Sequence, residues 1–278
     1  MITDSKTNTL YVADCLPIKY SKFYTEFELA LTKNGIIPKQ IANTKDVWAV
    51  DYMPIQITKD RFVKFVYSPD YLKSKMWAKS ISDVGEFCKN KITELIISDI
   101  VLHGRNIIKC NDKIIMCDKV FSENPSYTRT KLIHKLRELF EVDKLFFIPQ
   151  HPKDFTGHAD GMVRFLDENT VLINNNSKEK EEFQRALKIA IHNAGLEYIE
   201  IPYNPYNNKK ISQANGVYMN YLEMSNLIFL PTYNMKEDDV VVKLFEKLFN
   251  SHLIIPLCSN DIADNGGVLN CITWNILE

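Results

Sequence analysis

The stretch Asn106–Phe140, NIIKCNDKIIMCDKVFSENPSYTRTKLIHKLRELF, decides the fold. Two β-branched runs, NIIKC and KIIMC, flank the polar pair Asn111-Asp112, which predicts two strands joined by a tight turn. After Ser126 the period changes. Leu132, Ile133, Leu136, Leu139 and Phe140 recur at three- and four-residue spacing, which predicts a helix with one apolar face.

The same order repeats along the chain. Helix signals open at Ser21, Ser74, Ser126, Ser177 and Asn234; positions 21, 74, 126, 177 and 234 are separated by 53, 52, 51 and 57 residues. In the first, Phe23, Phe27, Ala30 and Leu31 share a face ahead of Gly35. Further strand pairs read as MVRFL-DEN-TVLIN, from Met162 to Asn174, and YLEMSNLIFLP, from Tyr221 to Pro231. A near-constant period signals one supersecondary unit copied several times, and five strand-rich units with one helix each suit closure into a ring. No Pro/Gly/Ser-rich linker interrupts residues 1–278, so a single α/β domain is expected. On periodicity alone, an ordinary α/β domain with evenly spaced elements is the alternative.

Composition narrows the partners. Hydrophobic residues make up 45% and charged residues 25%, the balance of a globular chain with a sizeable core. The net charge of -1, from 34 basic and 35 acidic residues, supplies no basic field for nucleic acid or an anionic membrane. No apolar run reaches the roughly 18 residues of a spanning helix. The opening MITDSKTNTLYVADCLPIKY lacks a secretory pattern, so a cytoplasmic location is expected. The six cysteines contain no Cys-x-x-Cys pair, which argues against a zinc ribbon or a disulfide framework and predicts mostly buried free thiols.

Each unit also carries a polar residue that looks out of place at a strand end. Asp51, Asn106, His158, Asn220 and Cys271 follow one another at 55, 52, 62 and 51 residues, so a ring would aim one from each unit at a common axis. In TGHADGMVRF, Thr156 to Phe165, an extended chain would put His158 and Asp160 on one face. Cys271 follows Gly266-Gly267 in a run, VLNCI, that reads as strand. An imidazolium lowers a thiol's pKa and makes it a nucleophile, and His158 is the candidate; a packed core cysteine is the alternative. In WAVDYMP, Trp48 and Asp51 precede Pro54 on a segment too short and proline-limited for a helix, where an Asp otherwise caps a turn. Two carboxylates in one pocket repel unless a cation lies between them, and a planar guanidinium matches carboxylates bidentately. The expected substrate is a guanidine.

Taken together, WAVD, LHGRN, GHADGMVRF, YMNY and NGGVLNCIT resemble the guanidine-modifying (pentein) superfamily, most of all its agmatine deiminase and bacterial peptidyl-arginine deiminase branch. The resemblance implies a five-bladed α/β propeller of ββαβ units. It also implies a hydrolase of amidine C–N bonds that deiminates agmatine, a related small guanidine or peptidyl arginine, giving a ureido product and ammonia through a covalent thiouronium. Cys271 matches the nucleophile, His158 the general acid/base, and Asp51 and Asp160 the carboxylates that grip the guanidinium. Trp48, Asn106, Tyr218 and Asn220 match the pocket lining. No metal or organic cofactor is required, and a paired thiolate and imidazolium imply a bell-shaped pH–rate profile.

The chain departs from the family pattern at four places. Val50 replaces the Arg of Trp-x-Arg-Asp; His103 and Arg105 replace the acid and second Gly of Leu-Asp-Gly-Gly-Asn; Asn270 replaces the His before the Cys. Arg105 either binds a carboxylate of the substrate or turns outward on its loop. An amidinotransferase or methylarginine hydrolase, or an impaired pentein-fold binding protein, is the alternative function.

Overall fold

The computed structural model describes residues 1–72 and 78–278, and among these described residues fifteen strands form five sheets of three. Each sheet repeats one order: a short first strand antiparallel to the second, a helix, and a third strand parallel to the second. The stretch that opened the sequence is one such unit, with β6 (Ile108–Cys110), β7 (Lys113–Cys117), the helix Arg129–Phe140 and β8 (Lys144–Ile148). A parallel third strand needs a crossover, and the helix supplies it. Asn111 takes positive φ at the tight turn, as its residue type allows.

The neighbouring units are β3 (Ile55–Gln56), β4 (Arg61–Val66) and β5 (Glu94–Val101); β9 (Val163–Phe165), β10 (Thr170–Asn174) and β11 (Glu197–Ile201); and β12 (Leu222–Met224), β13 (Leu227–Thr232) and β14 (Leu253–Cys258). The fifth sheet joins the two ends of the chain. There β1 (Thr9–Ala13) pairs in parallel with β2 (Lys39–Ile41) and antiparallel with β15 (Thr273–Ile276), Thr9 facing Ile276. Residues of all five first strands, Gln56, Lys109, Arg164, Glu223 and Asn275 among them, surround one cavity of about 440 Å³. The ring is therefore closed around an axis, and the architecture is the five-bladed α/β propeller that the resemblance implied.

The helices bury the faces their periodicity marked. Phe23, Phe27 and Leu31 of the helix Ser21–Lys33 are buried, as are Leu132, Leu136 and Phe140 of Arg129–Phe140 and Val241 and Phe245 of Asp238–Leu248. Replacing one such phenylalanine by alanine costs about 3–5 kcal/mol, so these faces hold the helices to the sheets. The starts moved. Thr128, not Ser126, accepts the capping bond from Lys131 N–H, and the next two helices begin at Glu181 and Asp238 rather than Ser177 and Asn234. The start expected at Ser74 lies outside the described residues; the helix of that unit spans Gly85–Lys91. All six cysteines are free, but only Cys88, Cys117 and Cys271 are buried, fewer than expected. Among the described residues no helix is long and apolar enough to cross a membrane.

Candidate functional site

Just before each first strand, the chain makes a single tight turn. Ala49–Tyr52 is one helical turn ahead of β3; Gly104–Asn106 and Ala159–Gly161 are 3-10 turns ahead of β6 and β9. Non-regular turns precede β12 and β15 at Asn220 and Cys271. Three local expectations are corrected here. Asp51 sits in a helical turn, because Met53-Pro54 ends the helix only after Asp51. His158 and Asp160 are brought together by a 3-10 turn, not by strand alternation. Cys271 lies in a turn in which Ile272 N–H reaches the carbonyl of Val268, so VLNCI is not strand.

The five turns meet at a second cavity, about 950 Å³, lined by Trp48, Arg105, His158, Asp160, Asn220 and Cys271 among others. Asp51, 2% exposed, does not itself line the cavity; it is paired with Arg105, which does, and its Oδ1 is 4.0 Å from His158 Nε2. The Cys271 thiol is 3.1 Å from Asn220 Oδ1 and 3.6 Å from Asp160 Oδ2. Asp160 Oδ2 accepts from Asn220 Nδ2 at 2.6 Å and from Asn270 Nδ2 at 2.9 Å. Asn270, where the family has His, thus orients a carboxylate, a role its sequence position did not reveal. Gly267 is needed at the sulfur: a Cβ there would lie 2.6 Å from Trp48 Cζ3 and 2.9 Å from Cys271 Sγ.

Arg105 does not turn outward, nor does it wait at the mouth for a carboxylate. It is 6% exposed, and its Nε donates to both Asp51 oxygens at 2.9 Å while Nη2 also bonds Oδ2. Its Nη1 lies 3.5 Å from Cys271 Sγ and 3.4 Å from the carbonyl of Gly266, and its Cζ is 5.3 Å from the Trp48 ring centre. A buried carboxylate needs a charge partner, and Arg105 is the cation within reach.

Two other candidates are elsewhere. Asn106 accepts from Cys117 N–H at 2.7 Å and donates to the Cys117 carbonyl, which ties its turn to β7. Tyr218 donates to Asp238 at 2.6 Å and packs on Tyr233. Neither lines the cavity, because their polar atoms are committed to the scaffold. His103 was noted only as a departure, yet its Nδ1 is 3.2 Å from His158 Nε2, and its Nε2 faces Glu123 Oε1 at 3.8 Å.

Electrostatics set the resting charges. Burial, followed by Asp160, raises the Cys271 pKa far above the usual thiol range, against the pull of Arg105. Burial, then Arg105 and His103, hold His158 well below the usual imidazole value. Burial brings His103 down to about 4, against the opposing charge of Asp51. Burial also raises Asp160, opposed by Arg105 and the Asn270 bond. At neutral pH the thiol and both imidazoles are uncharged, and the cation beside the sulfur is the Arg105 guanidinium.

Comparison with known proteins agrees with the fold. Residues 8–276 match the model of the Porphyromonas-type peptidyl-arginine deiminase family. A Mycoplasma mycoides protein bearing the name agmatine deiminase is 21% identical over 71% of this chain and 63% of its own length. A Photobacterium profundum protein of the same name is 23% identical over 84% and 76%. The chain thus spans less than two thirds of the Mycoplasma relative. Among solved structures, C. jejuni agmatine deiminase has a TM-score of 0.80 at 19% identity, covering 100% of this chain and 95% of that one. A Cys-to-Ser variant of it with substrate bound scores 0.82 at 19% identity, covering 100% and 96%. DDAH from Pseudomonas aeruginosa scores 0.60 at 11% identity, covering 97% and 99%. At these identities the structures attest the propeller. The family match extends from β1 to β15, and the chain belongs to the Porphyromonas-type peptidyl-arginine deiminase family.

Proposed function

We propose that the protein is a cysteine-dependent guanidine deiminase, acting on agmatine, a related small guanidine or an arginine side chain. One observation carries this: a guanidinium, that of Arg105, already fits the cavity, its Cζ 5.3 Å from the Trp48 ring centre, its nitrogens on both oxygens of Asp51 and one of them 3.5 Å from the Cys271 sulfur. The family membership and the names of the relatives support the same chemistry.

In this scheme Asp51 and Asp160 hold the substrate guanidinium with its central carbon at the sulfur, which makes attack effectively intramolecular. Seated there, the electrophilic carbon faces the thiol, and the nucleophile forms by proton transfer rather than by a change of local charge. His158 takes the thiol proton. The thiolate forms an S–C bond, and His158 returns the proton to the departing amine, which leaves as ammonia. Neutral His158 then takes a proton from water as it adds to the thiouronium carbon. The C–S bond breaks, giving a ureido product and the free thiol. One guanidinium and one water become one urea group and one ammonium ion, His158 having given the proton it took from water to the departing sulfur. His103 Nδ1, 3.2 Å from His158 Nε2, orients that imidazole.

Ammonia release from agmatine, arginine and arginine peptides tests the scheme, with Cys271→Ser as control. The expected loss in the variant is about 10⁴-fold or more, as for nucleophiles that act as part of a unit. Unchanged turnover after Cys271→Ser would exclude the mechanism.

A further inference from the structure

Arg105 projects from a turn that has no freedom to retreat. A Cβ on Gly104 would lie 1.9 Å from the carbonyl oxygen of Val50, so the two turns touch backbone to backbone. On the other side Asn106 is bonded to Cys117. The Arg105 side chain ends with its guanidinium on Asp51, with Cζ 5.3 Å from the Trp48 ring centre and Nη1 beside Cys271 Sγ. These are the groups on which a substrate guanidinium depends in the scheme above.

We propose that Arg105 is an internal competitor for the guanidinium seat, a built-in pseudosubstrate that covers Cys271 until an incoming guanidine replaces it. The proposal rests on the deiminase reading only in calling the seat a substrate site. Removal of Arg105 from Asp51 without replacement would strand a buried carboxylate. Exchange leaves a guanidinium there throughout, so the two states differ mainly in what the rest of each molecule touches. The cavity continues past the seat to Lys153 and Tyr206, which leaves space for the displaced side chain. Apparent affinity for any guanidine is then reduced by the fraction of molecules in which the seat is open. Substrates with further contacts along the cavity compete with Arg105 better than a bare guanidinium does. Specificity is therefore set partly by a residue of the protein itself.

The test uses two thiol probes on the whole protein, cationic 2-chloroacetamidine and neutral iodoacetamide, with Cys271 labelling read by peptide mass and normalised to a free thiol. In the wild type the cationic probe is expected to gain no advantage over the neutral one. In Arg105→Gln its rate is expected to rise at least about tenfold, with agmatine protecting, while iodoacetamide changes much less. Strong preference for chloroacetamidine in the wild type, with agmatine protection, would overturn the proposal. That comparison needs no variant and decides the matter if Arg105→Gln does not fold. Equal chloroacetamidine rates in the two folded proteins would also overturn it. Ammonia release, measured on the same samples, separates the two claims. Rapid, agmatine-protected labelling of Arg105→Gln without ammonia sustains the competitor and removes the deiminase reading.

Discussion

Arg105 and Asp51, 54 positions apart in the chain, form a buried ion pair in which one nitrogen, Nε, is 2.9 Å from both carboxylate oxygens. The guanidinium seat of this propeller is filled by the protein's own side chain, and this governs both stability and access to the sulfur.

Arg105→Ala leaves Asp51 buried without its partner, a change that costs about 3–5 kcal/mol. Agmatine is expected to restore part of that stability saturably, by about 2.7 kcal/mol at a hundred times its dissociation constant. Thermal unfolding with and without agmatine checks this. The wild type is expected to respond far less; a variant insensitive to agmatine would mean that the vacated seat does not take a guanidine.

The pH dependence of kcat/KM follows from a depressed His158 and a raised Cys271. The ionic thiolate–imidazolium form has the same proton count as the neutral pair, so its fraction is constant between the two pKa values and falls outside them. The sequence suggested an ordinary bell; the burial of both groups widens it to a plateau. The acid limb is expected below 6.5 and the alkaline limb above 9.0, the usual values for these groups. A limb of kcat/KM centred at 6.5 would contradict this.

Stability should fall with acid partly through His103. Its pKa drops from 6.5 to about 4 on folding, so between these values the unfolded chain binds more protons than the native one. Stability from this group is complete above pH 6.5 and is lost as pH falls toward 4, roughly 3 kcal/mol in all. His103→Gln should flatten that part of the curve in denaturant titrations at successive pH. An unchanged slope would show that His103 is not the source.

Gly267→Ala places a methyl group 2.6 Å from Trp48 Cζ3 and 2.9 Å from Cys271 Sγ. Either the ring or the sulfur must shift, and a displacement of this order costs about 100-fold in kcat. Circular dichroism should report a folded variant. Wild-type kcat would mean that the sulfur's position is not critical.

The sequence by itself determined the repeat and the residue types that its turns carry. Alternating runs around Asn111-Asp112 and the stripe from Leu132 to Phe140 are local patterns, and local periodicity specifies strand, turn and helix wherever the chain ends up. The spacing of Asp51, Asn106, His158, Asn220 and Cys271 likewise predicted convergence, since each precedes the first strand of a sheet, and all but Asn106 meet around Arg105 and the sulfur. Helix starts slipped by a few residues because the polar turns before Thr128, Glu181 and Asp238 offer several capping residues. Asn106 and Asn220 looked alike in sequence, yet one bonds its own hairpin at Cys117 and the other reaches Asp160. The direction of Arg105 was equally illegible. A long side chain chooses among partners that only the packing of neighbouring turns brings within reach, and burial then makes the choice strict, because Asp51, 2% exposed, is shielded from solvent.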